Sequence, residues 1–327
     1  MAGTMMAGVA SPDGLEIRAV SIPQPGPDQL LVRVAAAGMN RADINAARGA
    51  GVANPDAFGR PIGMEWAGEV VAAGDGADMF APGDWVACSG SGGYAAYALA
   101  DKGRALRFDP AQIAPRDAAI LPLALATAHN ALLTAGRFTG GDSVLVHGAS
   151  SAVGLATARI ARLLGARTVI GTSTSPMKRD KLASLPEFDI ILDPGEGWSR
   201  LVLDATDGRG ANVVVDMVSG AGLNETFRAT AILGRVVNVG RLGGLSATID
   251  MDLHAARRID YRGVTFRTRS LPEIRELVAA MAHDLWPAVE AGQLRLPVDR
   301  DFPLAQAREA LGHMAGNGHF GKIALIP

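Results

Sequence analysis

Residues 144–154 read VLVHGASSAVG: a run of buried-type apolar residues, a turn of small residues, and then the start of a segment with apolar residues at helical spacing. A strand–turn–helix of this kind leaves backbone N–H groups free at the positive end of a helix, where a phosphate or pyrophosphate binds. Small residues belong there because larger side chains would fill the space the phosphates need. The dinucleotide pattern asks for glycine at three positions, which here are Ala149, Ser151 and Gly154, so one glycine remains. A crossover turn in any parallel sheet has similar needs, and the motif by itself leaves both readings open. Its place on the first strand of a region where strands alternate with helices favours a dinucleotide. On that reading the N–H groups of Ala152 and Val153 and the hydroxyls of Ser150 and Ser151 face the pyrophosphate.

The next strand runs out at Gly171-Thr172-Ser173-Thr174. An acid at that point would accept hydrogen bonds from a ribose 2′-hydroxyl and select NAD. None is present. Ser173 is neutral, and Lys178 and Arg179 follow closely, a setting that suits a 2′-phosphate. The expected cofactor is therefore NADPH in preference to NADH. The alternative is an ordinary solvated helix start.

These groups need a frame. From about Ile120 onward, strands read at 143–147, 166–171, 190–192, 212–216 and 235–239 alternate with helices at 152–164, 178–185, 198–206 and 223–231, and Gly263–Thr268 (GVTFRT) reads as the last strand. Such alternation implies parallel strands with right-handed crossovers, an α/β doubly wound sheet. Before it the chain is β-rich, with strand runs such as Leu30–Ala35 and Glu69–Ala73 and a short helical stretch at Gly38–Arg48. After it, a helix at 272–293, a strand at 298–302, a helix at 304–314 and a strand at 322–326 suggest a return to the first domain. The expected division is 1–119 with 270–327, and 120–269.

Composition narrows the class. The 327 residues suffice for two cores, 20% are charged, and the net charge is -2, so a general attraction to nucleic acid or anionic membrane is not supported. Cys88 is the single cysteine, which rules out an internal disulfide and a thiolate zinc cluster. Residues 1–14 lack the pattern of a signal peptide, and no stretch reaches the roughly 20 apolar residues of a membrane span. A cytoplasmic enzyme acting on a small molecule is the expectation.

The whole chain resembles the medium-chain dehydrogenase/reductase superfamily, specifically its zinc-independent quinone oxidoreductase and enoyl reductase branch. The residues that carry the likeness are 37–43 (AGMNRAD), 63–68 (GMEWAG), 82–86 (PGDWV), 92–97 (GGYAAY), Leu121–Ala131, the turn above, and 321–325 (GKIAL). The resemblance implies a GroES-like β-rich catalytic domain built from both chain ends, a Rossmann domain between them, and a homodimer. The positions that bind catalytic zinc in zinc-dependent members correspond to Asn40, Met64 and Leu123, a set unsuited to zinc, so no metal is expected. The six histidines, at 129, 147, 254, 283, 313 and 319, form no ligand-like pair near an acid.

The implied chemistry is hydride transfer from NADPH to an activated C=C or a quinone. Asn40 is implied as the catalytic polar group, near the nicotinamide ribose and the substrate, with a helix cap as its competing role. Thr127, Gly240 and Arg241 are implied to line the nicotinamide half. Phe266 and Arg267, on the strand read there, are implied to meet its carboxamide. Asp43 and Glu65 read as structural, and Tyr94 and Tyr97 as packing residues or proton donors. Some members carry a Tyr in the segment read here as Gly49-Ala50-Gly51, and none is present. Asp193 and Asn317 replace two further family contacts to the adenosine phosphate, and Asp193 counts against NADPH. The competing function is a non-catalytic cofactor-binding scaffold of the same fold.

Overall fold

The computed structural model describes residues 3–49 and 58–327. Residues 50–57, including Ala50 and Gly51 of the segment where the resemblance points to a tyrosine in some members, lie outside the described residues. The chain divides into two compact units, Met1–Leu123 with Ile274–Pro327, and Ala124–Glu273. The expected boundaries at 119/120 and 269/270 stand four residues before these.

In the first unit a hairpin of β1 (Thr4–Ser11) and β2 (Gly14–Ser21) precedes β3 (Gln29–Gly38), α1 (Arg41–Ala47), β4 (Glu65–Ala73), β5 (Trp85–Ser89), β6 (Tyr97–Asp101), β7 (Ala105–Arg107) and α2 (Pro115–Ala119). The helix α3 (Pro122–His129) begins in this unit and continues into the second.

The second unit continues with β8 (Ser143–His147), α4 (Ala152–Leu163), β9 (Thr168–Thr172), α5 (Pro176–Ala183), β10 (Ile190–Leu192), α6 (Trp198–Asp204), β11 (Ala211–Asp216), α7 (Leu223–Ala229), β12 (Thr230–Asn238), α8 (Met251–Arg257) and β13 (Asp260–Gly263). The chain then returns through α9 (Leu271–Glu290), β14 (Val298–Pro303), α10 (Ala307–Ala315) and β15 (Lys322–Ile326).

The sheet of the first unit runs β14-β15-β3-β4-β5-β7, with β6 also on β3. The last strand of the chain therefore sits inside it, antiparallel to β3 through Ala324↔Gly38 and parallel to β14. Alternation along β3 sends Leu30, Val32 and Val34 into a core shared with Trp66, Val70, Val86, Ile323 and Leu325.

The sheet of the second unit runs β10-β9-β8-β11-β12-β13, with every pair parallel. Helices cover both faces of such a sheet, so β8 is buried throughout and β11 at all but Asn212, which is why both read as largely apolar runs.

One strand differs from expectation. The last parallel strand is Asp260–Gly263, paired with β12 from Arg235↔Asp260 to Asn238↔Gly263, not Gly263–Thr268. Beyond it the Thr265 hydroxyl accepts from the Arg267 N–H at 3.1 Å and curls the chain into a turn. The pairing with β12 ends at the Val264 N–H, which donates to Asn238 O at 3.0 Å, and past it the Thr265 side-chain bond takes the place of a ladder. Phe266 and Arg267 are thus turn residues, and Arg267 is exposed.

Candidate active site

In the second unit the turn between β8 and α4 holds the residues of the glycine-poor pattern. Gly148 at the end of β8 takes φ +72, so the left-handed residue of the turn is one place before the first pattern position. Ser151 is the N-cap of α4 and its Oγ accepts from the Gly154 N–H at 3.1 Å. The first-turn N–H groups of Ala152 and Val153 have no carbonyl within the helix to reach, and both residues are only half-buried, as are Ser150 and Ser151. Gly154 is needed for a different reason. A Cβ there would lie 2.7 Å from Gly148 O and 2.8 Å from Ala149 Cα, so the helix packs on the turn at backbone distance. The donor set fits a pyrophosphate: unpaired amides at a helix N-terminus, small side chains, and no carboxylate in the turn.

At the adjoining strand end, Ser173 is buried and its Oγ accepts from the Ser175 N–H at 3.4 Å. Ser175 caps α5, accepting from the Lys178 N–H. Lys178 itself is buried, with 8% of its surface exposed. The neighbouring Arg179 reaches the same turn. Its Nη1 donates to Ser173 O at 2.9 Å and pairs with Asp193 Oδ2 at 2.9 Å. Sequence reasoning placed Asp193 against NADPH without seeing that it holds this guanidinium.

Farther along the same sheet, Asp216 at the end of β11 accepts from the N–H groups of Val218 and Ser219 at 2.8 and 2.9 Å. Ser219, held at φ 55, donates its hydroxyl to Gly240 O at 3.1 Å, and the Gly240 N–H donates to Asp216 O. This fixes the peptide that enters Gly240-Arg241, whose Arg241 is exposed. A Cβ at Gly240 would lie 2.5 Å from Met217 O. Thr127 sits half-buried on α3. His147 is buried between the hydroxyls of Thr172 and Thr226 at 3.0 and 3.2 Å, and burial holds its pKa below the usual range. It is a neutral structural residue.

In the first unit Asn40 is the N-cap residue of α1, and its backbone N–H donates to Asp43 Oδ2 at 2.7 Å. Its side chain points elsewhere. Asn40 Nδ2 donates to Glu65 Oε1 at 3.0 Å, and Asn40 Oδ1 accepts from Lys322 Nζ at 2.7 Å. Lys322 also donates to Glu65 Oε1 and, at 3.3 Å, to Met39 O. Glu65 Oε2 accepts from the Leu123 N–H at 2.9 Å. Asp43 Oδ2 takes the Tyr94 hydroxyl as well, at 2.7 Å, while Oδ1 is buried without a partner. Burial pushes the Asp43 carboxyl up to about 7 and the Tyr94 phenol well above its ordinary value. Tyr94 is therefore a buried donor to Asp43 and is fully enclosed.

Lys322 was missed in the sequence. It stands in GKIAL without any local sign of its partner, 257 residues away. The zinc positions of the family hold a carboxamide bound to an ion pair (Asn40), a half-buried thioether (Met64) and an aliphatic side chain (Leu123). Among the described residues no group of three or more His, Cys, Asp or Glu could hold a metal ion.

Comparison with known proteins agrees with this picture. A profile described as "Alcohol dehydrogenase GroES-like domain" matches residues 26–110, and one described as "Zinc-binding dehydrogenase" matches residues 152–283. Mouse (Mus musculus) quinone oxidoreductase is 30% identical over 323 residues, covering 96% of this chain and 94% of that protein. An alcohol dehydrogenase superfamily protein from Novosphingobium aromaticivorans superposes with a TM-score of 0.86 at 28% identity, over 99% of this chain and 100% of that one. Mycobacterial Rv1454c, solved as a complex with NADPH, superposes with a TM-score of 0.85 at 26% identity over 100% of both chains. The chain belongs to the medium-chain dehydrogenase/reductase superfamily, in its zinc-independent quinone oxidoreductase and enoyl reductase branch, and is an oxidoreductase of that type.

Proposed function

We propose that this oxidoreductase uses NADPH to reduce a quinone or an electron-poor C=C bond conjugated to a carbonyl, such as an enone or an enoyl thioester. The observation that carries the cofactor assignment is the pairing of the Ser151-capped turn with Arg179 of α5, whose guanidinium reaches the end of the next strand at Ser173 O. The turn suits a pyrophosphate, and the guanidinium suits a ribose 2′-phosphate. The NADPH bound by mycobacterial Rv1454c supports the same reading.

When bound, the reduced nicotinamide supplies a hydride to the electron-poor carbon. The chain's own residues hold and orient. Ala152 and Val153 N–H groups, with the hydroxyls of Ser150 and Ser151, take the pyrophosphate. Ser173, Lys178 and Arg179 take the 2′-phosphate. Thr127, Gly240 and Arg241 line the nicotinamide half, and Phe266 and Arg267, in the turn after β13, meet its carboxamide. Asn40 donates an N–H to the substrate oxygen that gains negative charge. A homodimer and a cytoplasmic setting belong to the same proposal. Among the described residues no helix is long and apolar enough to cross a membrane.

The test is fluorescence titration of the purified protein with NADPH and NADH, followed by NADPH oxidation against a panel of quinones, enones and enoyl thioesters. NADPH is expected to bind more tightly, and at least one acceptor class to turn over. Asp193→Asn releases Arg179 from its carboxylate and is expected to raise the NADPH preference, while Arg179→Ala lowers it by about ten-fold, the size of one charge-assisted contact. Tighter NADH binding, or preferences unmoved by both variants, would overturn the cofactor assignment. Binding without turnover of any acceptor would leave a cofactor-binding scaffold.

A further inference from the structure

The Asn40 carboxamide is gripped at both ends by one buried ion pair. Its oxygen accepts from Lys322 Nζ at 2.7 Å, and its nitrogen donates to Glu65 Oε1 at 3.0 Å. A carboxamide flipped by half a turn would set its NH2 group against the ammonium and its oxygen against the carboxylate. Both contacts would be repulsive, so the pair admits one orientation.

The pair is engaged within the protein and enclosed, and offers little to a ligand of its own. The three N–H donors of Lys322 go to Asn40 Oδ1, Met39 O and Glu65 Oε1, and the second oxygen of Glu65 takes the Leu123 N–H. Neither side chain reaches solvent, at 2% and 0% exposure. The neighbouring strand yields room for it: a Cβ at Gly38 would stand 2.6 Å from Glu65 Oε1.

An ion pair this deep is a poor source of stability, because apolar groups of similar volume commonly do as well or better. What it does control is Asn40, which is half-buried and not enclosed as the pair is. The carboxamide keeps one lone pair on Oδ1 and a second N–H, whose internal contact, to Gly38 O, is long at 3.5 Å. By the family pattern, Asn40 and Leu123 are two of the three places where zinc-dependent members bind metal, and both are tied here to the same carboxylate.

We propose that Lys322 and Glu65 are positioning residues for the reductase reaction, holding the Asn40 carboxamide in the one orientation that turns its second N–H to the substrate oxygen. The proposal rests on the reading that Asn40 touches substrate.

Three variants separate the two ideas: Asn40→Ala, the double variant Lys322→Met/Glu65→Gln, and the triple. The double variant removes both charges together, which avoids stranding either one. Steady-state rates with NADPH and 1,4-benzoquinone or an enone, and melting temperatures, are measured for each. The double variant is expected to melt close to the parent and to lose about ten-fold or more in kcat, with KM for NADPH changed by less than about two-fold. The triple is expected to be no slower than Asn40→Ala, because the pair acts through Asn40.

Should the double variant not fold, Lys322→Arg takes its place. It keeps a cation on Glu65 while moving the donor from Asn40, and the same kcat loss is expected. A normal kcat in the double variant, beside a slow Asn40→Ala, would overturn the positioning role and leave the Asn40 reading intact. Losses that multiply in the triple would do the same. A normal kcat in Asn40→Ala would overturn the Asn40 reading and the positioning role with it.

Discussion

Asp43 carries two donors on one carboxyl oxygen and none on the other, inside a fully buried site. Burial raises its pKa from the ordinary 3.8 to about 7, against the hydrogen bonds from Tyr94 and Asn40 that favour the charged form. A raised folded-state pKa means that the native protein holds this proton after the unfolded chain has lost it. Stability from this group therefore falls as pH rises between about 4 and 7, and the penalty is constant above that. Asp43→Asn keeps an acceptor for both donors and removes the titration. Relative to the parent, its urea midpoint is expected to move in the variant's favour between about pH 5 and about pH 8. An unchanged difference would show that the carboxyl is ionised throughout. At this scale legibility in the sequence depended on distance. Asp43 as helix-start structure follows from its spacing three residues after Asn40, a local relation. Lys322 against Glu65 is a relation between two strands that both flank β3 in the folded sheet, and Arg179 against Asp193 is one between α5 and the residue after β10; composition near each residue says nothing of them.

Elements were legible where burial on both faces forces continuous apolar runs. The strand SVLVH was read with its observed bounds because β8 is central in a parallel sheet. The edge strand β13 is half exposed and reads DYRG, with no apolar run to betray it, whereas GVTFRT next to it has strand composition and forms a turn. The depleted glycine pattern also has a reading at this scale. Of its three positions, Gly154 is the glycine, and there backbone packs on backbone. Gly154→Ala must lift α4 from the turn, since the obstructing atoms at 2.7 and 2.8 Å are all main chain. It is expected to cost about 1–3 kcal/mol of stability and to weaken NADPH binding by about ten-fold, through displacement of the Ala152 and Val153 N–H groups. Thermal unfolding and fluorescence titration check the two effects. A variant with parental melting and affinity would mean that the helix can retreat without disturbing the phosphate turn.

At the scale of the whole molecule, the organisation follows from where the chain ends go. The β-rich start and the strand–helix tail read as one domain interrupted by another, and the sheet order β14-β15-β3 shows how: the last strand of the chain lies between β14 and the third strand. The first unit is thus incomplete until the C-terminus is in place, whereas all six strands of the second unit come from Ser143–Gly263. Removing residues 317–327 deletes β15 and leaves β3 and β14 without their shared neighbour. It also leaves the Glu65 carboxylate buried without its ammonium, a loss of about 3–5 kcal/mol by itself and comparable to much of a domain's stability. The two units are therefore expected to part company in hydrogen exchange. Amides of β8, β9, β11 and β12 stay protected in the truncated chain, while amides of β3, β4 and β5 exchange as in an unfolded segment. Protection retained in β3 and β4 would show that the first unit closes its core without the chain end, and that Lys322 is dispensable to it.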